Sequence, residues 1–270
     1  MKNKFNSDEF LSKYPICKEI IKENKIRMEN LEEIYNDYIK YIESYENQAN
    51  FIANILRSND NVHSVKSRIK MPYRLIEKVI RKTKNRKEKY GDEFSFTVNN
   101  YKNEINDLIG IRVIHIFKEQ WEEIHDFIIN TWKVIEITAN VRDGDNTKIF
   151  DDLGIEVRSR QSGYRSVHYL VEFYPTNQKV IAEIQVRTIF EEGYGEIDHR
   201  LRYSNNEIPE LLKSNLLLFN RIVGSADEMA SLINTLNKEW DKKEVDYKNL
   251  IEAKEEEIKE LRRQLDMIKK

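Results

Sequence analysis

The sequence predicts an α+β fold, in which helices flank a mixed β-sheet and helical arms extend from both ends. Two observations predict it. All eight glycines lie between Gly91 and Gly224, and glycine favours turns while it weakens helix interiors. Strand-like and helix-like apolar patterns also alternate through this central region. We therefore predict an N-terminal helical arm over residues 1–57, a central domain over 58–205, and C-terminal helices with a coiled-coil-like tail over 206–270.

Composition restricts the class of protein. The net charge is −2, so the whole molecule is not a binder of polyanions and any basic patch is local. The single cysteine, Cys17, excludes a disulfide framework and a cysteine-rich metal site. No apolar run approaches the roughly 20 residues of a membrane span, and the N-terminus lacks the apolar segment of a signal peptide. We expect a cytoplasmic protein with no membrane partner.

The N-terminal arm has the apolar spacing of a packed helix. Residues 8–57 are predicted to be helical. After Pro15, apolar side chains return nearly every 3.5 residues, at Leu31, Ile34, Tyr38, Tyr41, Tyr45 and Ile52. The spacing predicts a seam that packs on another helix. A tyrosine platform for stacking bases is the alternative, and helical spacing favours packing.

A basic helix follows the arm. Pro72 suits the first turn of a helix that runs to about Tyr90. Between Arg68 and Lys89 there are ten basic residues and two acidic ones. Cations at spacings of four, four and three share one face: Lys70, Arg74, Lys78 and Arg81. Their mutual repulsion would be relieved by a bound triphosphate. The alternative is a basic face in contact with water alone, which suits residues 82–89 better.

The centre of the chain alternates strands and helices. Strands are predicted at 109–117, 134–141, 155–158, 166–174 and 180–188, the last two joined by a turn around 175–177. Helices are predicted at 119–132, 190–203 and 209–240, and a mobile loop at 144–153. This order predicts a mixed sheet with helices on its faces.

The tail repeats apolar side chains on alternating steps of three and four residues. They are Ile251, Ile258, Leu261, Leu265 and Ile268, with Lys254 on the same seam. Such a seam is typical of a coiled coil. A homo-oligomer through this arm is favoured slightly over a helical hairpin within one chain.

Two acidic motifs on strands predict a metal–phosphate site. A period of two puts Glu183, Gln185 and Arg187 on one strand face. Asp107 stands at the mouth of the strand that contains Arg112. Two carboxylates can hold Mg²⁺, which takes water and phosphate oxygens in its remaining positions, and arginines pair with phosphate in fork geometry. For either motif alone, a surface salt bridge at a strand end has equal weight.

Five ordered motifs give the chain a resemblance to a known family. They are residues 67–70, 107–112, 163–168, 183–188 and 197–203. Over roughly residues 60–205 the chain resembles the RelA/SpoT synthetase domain, and more closely a small alarmone synthetase of the single-domain kind. The resemblance implies a nucleotidyltransferase-like sheet. It also implies transfer of the β,γ-pyrophosphate of ATP to the 3′-hydroxyl of GDP or GTP, which gives (p)ppGpp and AMP.

The resemblance implies roles for individual residues. Asp107 and Glu183 would be catalytic and would hold Mg²⁺. The residues expected to bind ATP are Arg68, Lys70, Lys78, Arg81 and Arg112, with Arg74 from the basic face. Those expected at the acceptor nucleotide are Arg160, Tyr164, Arg165, His168, Gln185 and Arg187. Tyr164 would stack on guanine, because a tyrosine between a glycine and an arginine on a loop exposes an aromatic face.

The sequence departs from the family's pattern at three places. Arg160-Gln161-Ser162 replaces the usual Lys-Pro-Asn, and loss of the proline loosens the loop that precedes Tyr164. Arg74 stands where a small hydroxyl residue is usual. Glu192 stands where asparagine or aspartate is frequent near the guanine. The preference between GDP and GTP is therefore left open.

Two other functions compete with alarmone synthesis. A toxin-like relative would place pyrophosphate on the 3′ end of tRNA, with residues 82–89 in contact with the RNA backbone. A non-enzymatic scaffold would use only the helical arms, although both metal carboxylates are retained. His125-Asp126 spells an HD pair, but it falls in a predicted helix of the synthetase domain. The five histidines supply too few ligands for a hydrolase, so we expect synthesis without degradation.

Overall fold

The computed structural model describes residues 4–175, 179–204 and 209–268. Its helices are α1 (Ser7–Lys13), α2 (Cys17–Glu23), α3 (Met28–Leu56), α4 (Pro72–Tyr90), α5 (Tyr101–Glu104), α6 (Gln120–Thr131), α7 (Lys148–Asp152), α8 (Ile189–Ser204) and α9 (Glu210–Ile268). Its strands are β1 (Ser64–Ile69), β2 (Ile109–His115), β3 (Lys133–Val141), β4 (Glu156–Ser159), β5 (Ser166–Phe173) and β6 (Val180–Thr188). The predicted fold class, a mixed sheet with flanking helices and helical ends, is confirmed.

The six strands of the described residues form one sheet in the order β1-β2-β6-β5-β3-β4. The pairs β2–β6 and β3–β4 are parallel, and the other three neighbouring pairs are antiparallel. The edge strand β1 was not predicted, because its apolar and polar residues do not alternate regularly: three polar residues, Lys66, Ser67 and Arg68, follow one another. β1 adds its cations to the sheet beside β2, where Arg68 pairs with Gly110.

The strand register sorts the sheet into an apolar face and a polar face. Ile111, Ile184 and Tyr169 are paired across three strands and fully buried. On the opposite face, Arg112, Gln185 and His168 are paired in the adjacent row, and Gly110 pairs with Glu183 in the next one. Because strand side chains alternate between faces, the motif residues of separate strands come together on one surface.

The N-terminal arm packs on the apolar side of the fold. It is three helices rather than the single helix predicted, since α1 ends before Pro15, which lacks an amide donor, and Lys25 adopts a positive φ of 53° between α2 and α3. Leu31 and Ile34 of α3 are fully buried within the main hydrophobic core. The seam of α3 thus contacts β1, β2 and α4 of the same chain.

The C-terminal arm is a single helix of 59 residues, α9, where a helix and a separate tail were predicted. Among its described apolar side chains, Leu216 alone is buried. α9 packs mainly on α8. The predicted loop at 144–153 contains the short helix α7, and residues 176 and 177 of the predicted turn lie outside the described residues. No described helix is long and apolar enough to cross a membrane.

Candidate functional site

Asp107 lies in the turn before β2, where two lysines from different elements reach it. Its Oδ2 is 2.6 Å from Lys70 Nζ and 2.6 Å from Lys78 Nζ. Burial raises the pKa of Asp107, but the two ammonium groups outweigh burial and leave this pKa below its usual range. Asp107 is therefore an anion at neutral pH, held at the junction of β1, β2 and α4.

The other predicted ATP-binding cations divide between two places. Arg68 crosses the backbone of Gly110, where a Cβ atom would lie 3.2 Å from its Nε. Arg74 and Arg81 instead lie on the side of α4 that faces the N-terminal helices. The Arg74 guanidinium is 5.2 Å from the ring centroid of Tyr14, and Arg81 pairs with Glu77 at 3.1 Å. The row of four cations is therefore not aimed as a unit at Asp107.

Lys82 and Arg86 continue the cationic side of α4 that faces Asp107. Burial lowers the pKa of Lys82, whose ammonium also interacts with Lys78, Arg86 and Asp107. Arg86 forms an ion pair with Glu104. Both side chains are half-buried, so this part of the 82–89 cluster belongs to the site wall. The four-residue step from Lys78 to Lys82 was the available signal in the sequence.

Glu183 stands in a chain of hydrogen bonds on the polar face of the sheet. Gln185 Nε2 donates to its Oε2 at 2.8 Å, and Arg187 Nη2 donates to Gln185 Oε1 at 2.7 Å. On the other side, His168 Nδ1 is 3.3 Å from Glu183 Oε1. Tyr164 Oη lies 3.0 Å from His168 Nε2. The network assigns the ring proton to Nδ1, so that Nε2 accepts from the tyrosine hydroxyl.

The two carboxylates come from the turn before β2 and from the neighbouring strand β6. Burial raises the pKa of Glu183 and the Asp107 charge raises it further, while His168 and Gln185 lower it to a net value below the usual range. The strand register brings the two acids to adjacent strands: Asp107 lies three residues before Gly110 of β2, and Gly110 pairs with Glu183 of β6. The convergence of two acids from separate strand motifs is thus present in the fold.

The arrangement suits a magnesium ion. Asp107 Oδ1 is buried and has no hydrogen-bond partner in the described part of the chain, which leaves an oxygen available to a cation. Across the described ranges, no group of three or more His, Cys, Asp or Glu side chains could form a complete protein cage. Two carboxylates, with the remaining coordination positions left without protein ligands, fit Mg²⁺, which usually keeps water and substrate phosphates as its other ligands.

Two glutamates of α8 neutralise the arginines of the site. Arg112 Nη1 is 3.3 Å from Glu192 Oε1 and also contacts Glu196. Arg187 Nη1 is 3.3 Å from Glu192 Oε2, and Lys66 Nζ is 3.3 Å from Glu192 Oε1. The sequence patterns did not indicate this pairing, although the spacing of four residues places both glutamates on one helix face.

Tyr164 is more enclosed than its loop position predicts. Its ring is half-buried. The Arg187 guanidinium is 5.2 Å from the Tyr164 ring centroid, and the His168 ring packs edge-on at 5.9 Å. Gly195 of α8 permits this approach, because a Cβ atom there would lie 2.8 Å from Arg187 Nη1. One aromatic face therefore carries a cation in the structure, which differs from the exposed face that was expected.

The remaining acceptor candidates contact protein groups outside this network. Arg160 Nε donates to Asn140 Oδ1 at 2.6 Å, and its side chain is exposed. Arg165 forms a bidentate pair with Asp145 at 2.6 and 2.9 Å. Burial raises the pKa of Asp145, and the bond to Arg165 outweighs it and leaves the pKa low. Arg165 thus links the 163–165 segment to the turn after β3.

Comparison with known proteins agrees with the sequence motifs and the fold. The family described as "Region found in RelA / SpoT proteins" matches residues 67–208. GTP pyrophosphokinase YwaC of Bacillus subtilis is 27% identical over 181 residues, which cover 65% of this chain and 75% of that protein.

Solved structures show the same fold at low sequence identity. Small alarmone synthetase 1 of Bacillus subtilis has a TM-score of 0.58 and 19% identity, covering 76% of this chain and 99% of that one. The same synthetase bound to its product pppGpp has a TM-score of 0.52 and 20% identity, covering 73% and 93%.

Proposed function

The chain belongs to the RelA/SpoT family, whose region spans more than half of it, and we propose that it is a pyrophosphokinase acting on guanine nucleotides. It would transfer the β,γ-pyrophosphate of ATP to the 3′-hydroxyl of GDP or GTP, in the cytoplasm. The observation that carries the proposal is the placement of two acids on adjacent strands: Asp107, with Lys70 and Lys78 on its carboxylate, lies three residues before Gly110 of β2, which pairs with Glu183 of β6. The similarity to a GTP pyrophosphokinase supports it.

On the donor side, the lysines of Asp107 provide a ready set of phosphate ligands. Lys70 and Lys78 contact the carboxylate that would hold Mg²⁺ with Glu183. When bound, Mg²⁺ supplies a counter-charge to the phosphate oxygens. The ammonium groups would then pair with the triphosphate, joined by Arg68 from the neighbouring strand. Arg112 would exchange its α8 carboxylates for the phosphate charge that increases during transfer.

On the acceptor side, the hydrogen-bond network around Glu183 would position the 3′-hydroxyl of the acceptor. Tyr164 and Arg187 would receive the guanine, while His168 and Gln185 fix the orientation of Glu183. The 3′-oxygen bonds to the β-phosphorus, the bond from that phosphorus to the α,β-bridging oxygen breaks, and AMP leaves. Glu183 is ionised at neutral pH, and we propose that it accepts the proton of the 3′-hydroxyl. Most of the rate enhancement then comes from positioning and charge neutralisation.

Labelled ATP offered with two classes of acceptor tests the reaction. We expect label in ppGpp or pppGpp, together with AMP, when GDP or GTP is present. Label that appears only on deacylated tRNA would replace this proposal with the tRNA-modifying one. Asp107→Ala and Glu183→Ala should each lower turnover by about 10³-fold, by analogy with loss of other electrostatic contacts in transition states. Full turnover in either variant would favour the non-enzymatic scaffold.

We also propose that the protein synthesises without hydrolysing its product. His125 of the HD pair is buried, and its Nδ1 is 3.1 Å from the Tyr169 hydroxyl. It is therefore part of the packing between α6 and the sheet. Incubation of pure protein with ppGpp and Mn²⁺ should release no pyrophosphate, and measurable release would contradict the proposal.

Self-association through the C-terminal arm is a further part of the proposal. The seam side chains Ile251, Ile258, Leu261 and Leu265 are 50–57% exposed, and the side chain of Ile268 lies outside the described set. Apart from Tyr41, the N-terminal seam is already buried within its own chain, so the C-terminal seam is the one that a second copy could cover. Light scattering on a chain ending near Trp240 should show a smaller assembly, and an unchanged number of subunits would refute it.

A further inference from the structure

A buried asparagine of α9 contacts the loop that carries Tyr164. Asn220 is 1% exposed. Its Nδ2 donates to the Gly163 carbonyl at 2.8 Å, and its Oδ1 accepts from Arg165 Nη1 at 3.2 Å. Both ends of the amide are therefore used, one on each side of Tyr164. A polar side chain buried this deeply is stable only because its hydrogen bonds are made.

The backbone on the other side of this contact is shaped to fit the amide. Gly163 has a φ of 77°, in the left-handed region that favours glycine. A Cβ atom at Gly163 would lie 2.7 Å from Asn220 Cγ and Oδ1, so the amide packs directly against the glycine. The Arg165 guanidinium in turn lies over Gly224, whose added Cβ would be 3.4 Å from Nη2. Two glycines thus allow α9 and the loop to approach closely.

Tyr164 occupies the position between the two fixed points. Its hydroxyl contacts His168, which contacts Glu183. A rotation of the peptide between Gly163 and Tyr164 would move the ring and break this chain at its first bond. Two further contacts hold the 162–165 segment: the Tyr194 hydroxyl of α8 donates to the Ser162 carbonyl, and Arg165 pairs with Asp145. The amide of Asn220 is the contact that holds both neighbours of Tyr164.

We propose that Asn220 is a positioning residue for the acceptor nucleotide, acting through Gly163 and Arg165 on Tyr164. The inference rests on the proposed function for its kinetic consequence. Asn220 lies beyond residues 67–208, the part of the chain that matches the family. The C-terminal helix would therefore complete the acceptor half of the site without touching substrate.

The test compares Asn220→Ala with Asn234→Ala. Asn234 also anchors α9, through Glu119 of the segment before α6, so it controls for general loosening of the helix. In Asn220→Ala we expect the KM for the guanine nucleotide to rise about tenfold, the equivalent of one lost hydrogen bond to a buried group. The KM for ATP should stay within about twofold in both variants. The acceptor KM of Asn234→Ala should also stay near the wild-type value, since this change leaves Tyr164 in place.

Asn220→Asp separates the two contacts of the amide. Aspartate can still accept from Arg165 but cannot donate to the Gly163 carbonyl. An acceptor KM as high as that of Asn220→Ala would show that the Gly163 bond positions the ring. Wild-type kinetics in Asn220→Ala, or equal defects in Asn220→Ala and Asn234→Ala, would overturn the proposal.

Hydrogen exchange provides a readout that does not need the reaction. Amides of residues 160–165 should exchange faster in Asn220→Ala than in the wild type and in Asn234→Ala, because the loop loses the contact that holds both neighbours of Tyr164. Unchanged exchange would overturn the positioning role. If the wild-type protein transferred pyrophosphate to no guanine nucleotide, the proposed function would fail, and exchange would still decide whether Asn220 holds the loop.

Discussion

The two helical arms have similar apolar periodicity and opposite structural roles. In α3, the seam residues Leu31 and Ile34 are fully buried against the sheet and α4. In α9, the seam residues Leu261 and Leu265 are more than half exposed. The comparison shows that an apolar stripe predicts a contact face but not whether the covering surface lies in the same chain.

The arms also support different halves of the site by different means. From the N-terminal arm, the Tyr38 hydroxyl donates to the backbone carbonyl of Lys70 at 2.6 Å. The side chain of this same lysine contacts Asp107. From the C-terminal arm, Asn220 donates to the Gly163 carbonyl. The first contact is embedded in the main hydrophobic core, whereas the second lies beside a much smaller apolar cluster, that of Tyr194 and Leu216. We therefore expect the donor half to be the more rigid of the two.

The largest expected effect is the loss of stability when a buried leucine of α3 is replaced. Leu31→Ala should lower the free energy of unfolding by about 2–5 kcal/mol, the usual range for a leucine that leaves a cavity in a core. Denaturant titration measures this change. A loss below about 0.5 kcal/mol, the range usual for surface changes, would show that the N-terminal arm is not part of the domain core.

We expect the packing of α9 on the rest of the chain to depend on pH, because its buried carboxyl group, Asp227, has a shifted pKa. Burial, reinforced by the charge of Glu191, raises the pKa of Asp227 to about 7, against the weaker attraction of Lys118 at 3.9 Å. A carboxyl whose pKa is raised on folding contributes stability below its unfolded pKa and loses that contribution as the pH rises through the folded value. The packing of α9 should therefore weaken between about pH 4 and pH 7.

Asp227→Asn tests this dependence, because the amide keeps the shape and cannot ionise. At pH 8 the variant should unfold with a free energy about 1 kcal/mol or more above that of the wild type, since each pKa unit corresponds to about 1.4 kcal/mol. At pH 4 the two proteins should differ little. Parallel stability curves from pH 4 to 8 would mean that Asp227 titrates normally.

Tyr38→Phe should weaken the donor half selectively. The variant removes one hydrogen bond to the Lys70 carbonyl, worth about 1 kcal/mol, and keeps the aromatic packing on Tyr45. We expect a KM for ATP about fivefold higher, with the KM for the acceptor unchanged. Tyr41→Phe, at a side chain 38% exposed, is the matched control. An equal rise in both KM values would indicate that the arm supports the whole site.

The smallest expected effect is at the distal end of α9. Leu261→Ala should change the free energy of unfolding by less than about 0.5 kcal/mol when the protein is dilute enough to be monomeric. Leu31→Ala in α3 removes a buried leucine, so comparing the two variants shows that burial causes the difference in stability. A loss of more than about 1 kcal/mol in the monomer would mean that α9 folds back on its own chain.

The local patterns predicted most of the elements that build the site. Pro72 predicted the start of α4, and the period of two in β6 predicted that Glu183, Gln185 and Arg187 share a face. β1 was missed because Ser67 interrupts the apolar alternation between Val65 and Ile69. The break at Lys25 was also missed, since a positive φ at lysine has no local signal comparable to that of glycine.

The sequence by itself determined which residue types carry the chemistry and which strand or helix face they occupy, because side-chain direction follows from local backbone geometry. Only the tertiary structure decided their partners. It placed Lys78 on Asp107, Arg165 on Asp145 and Asn220 on Gly163. The physical reason is that electrostatic and hydrogen-bond energies depend on distances of a few ångströms, and packing sets those distances between residues far apart in the chain.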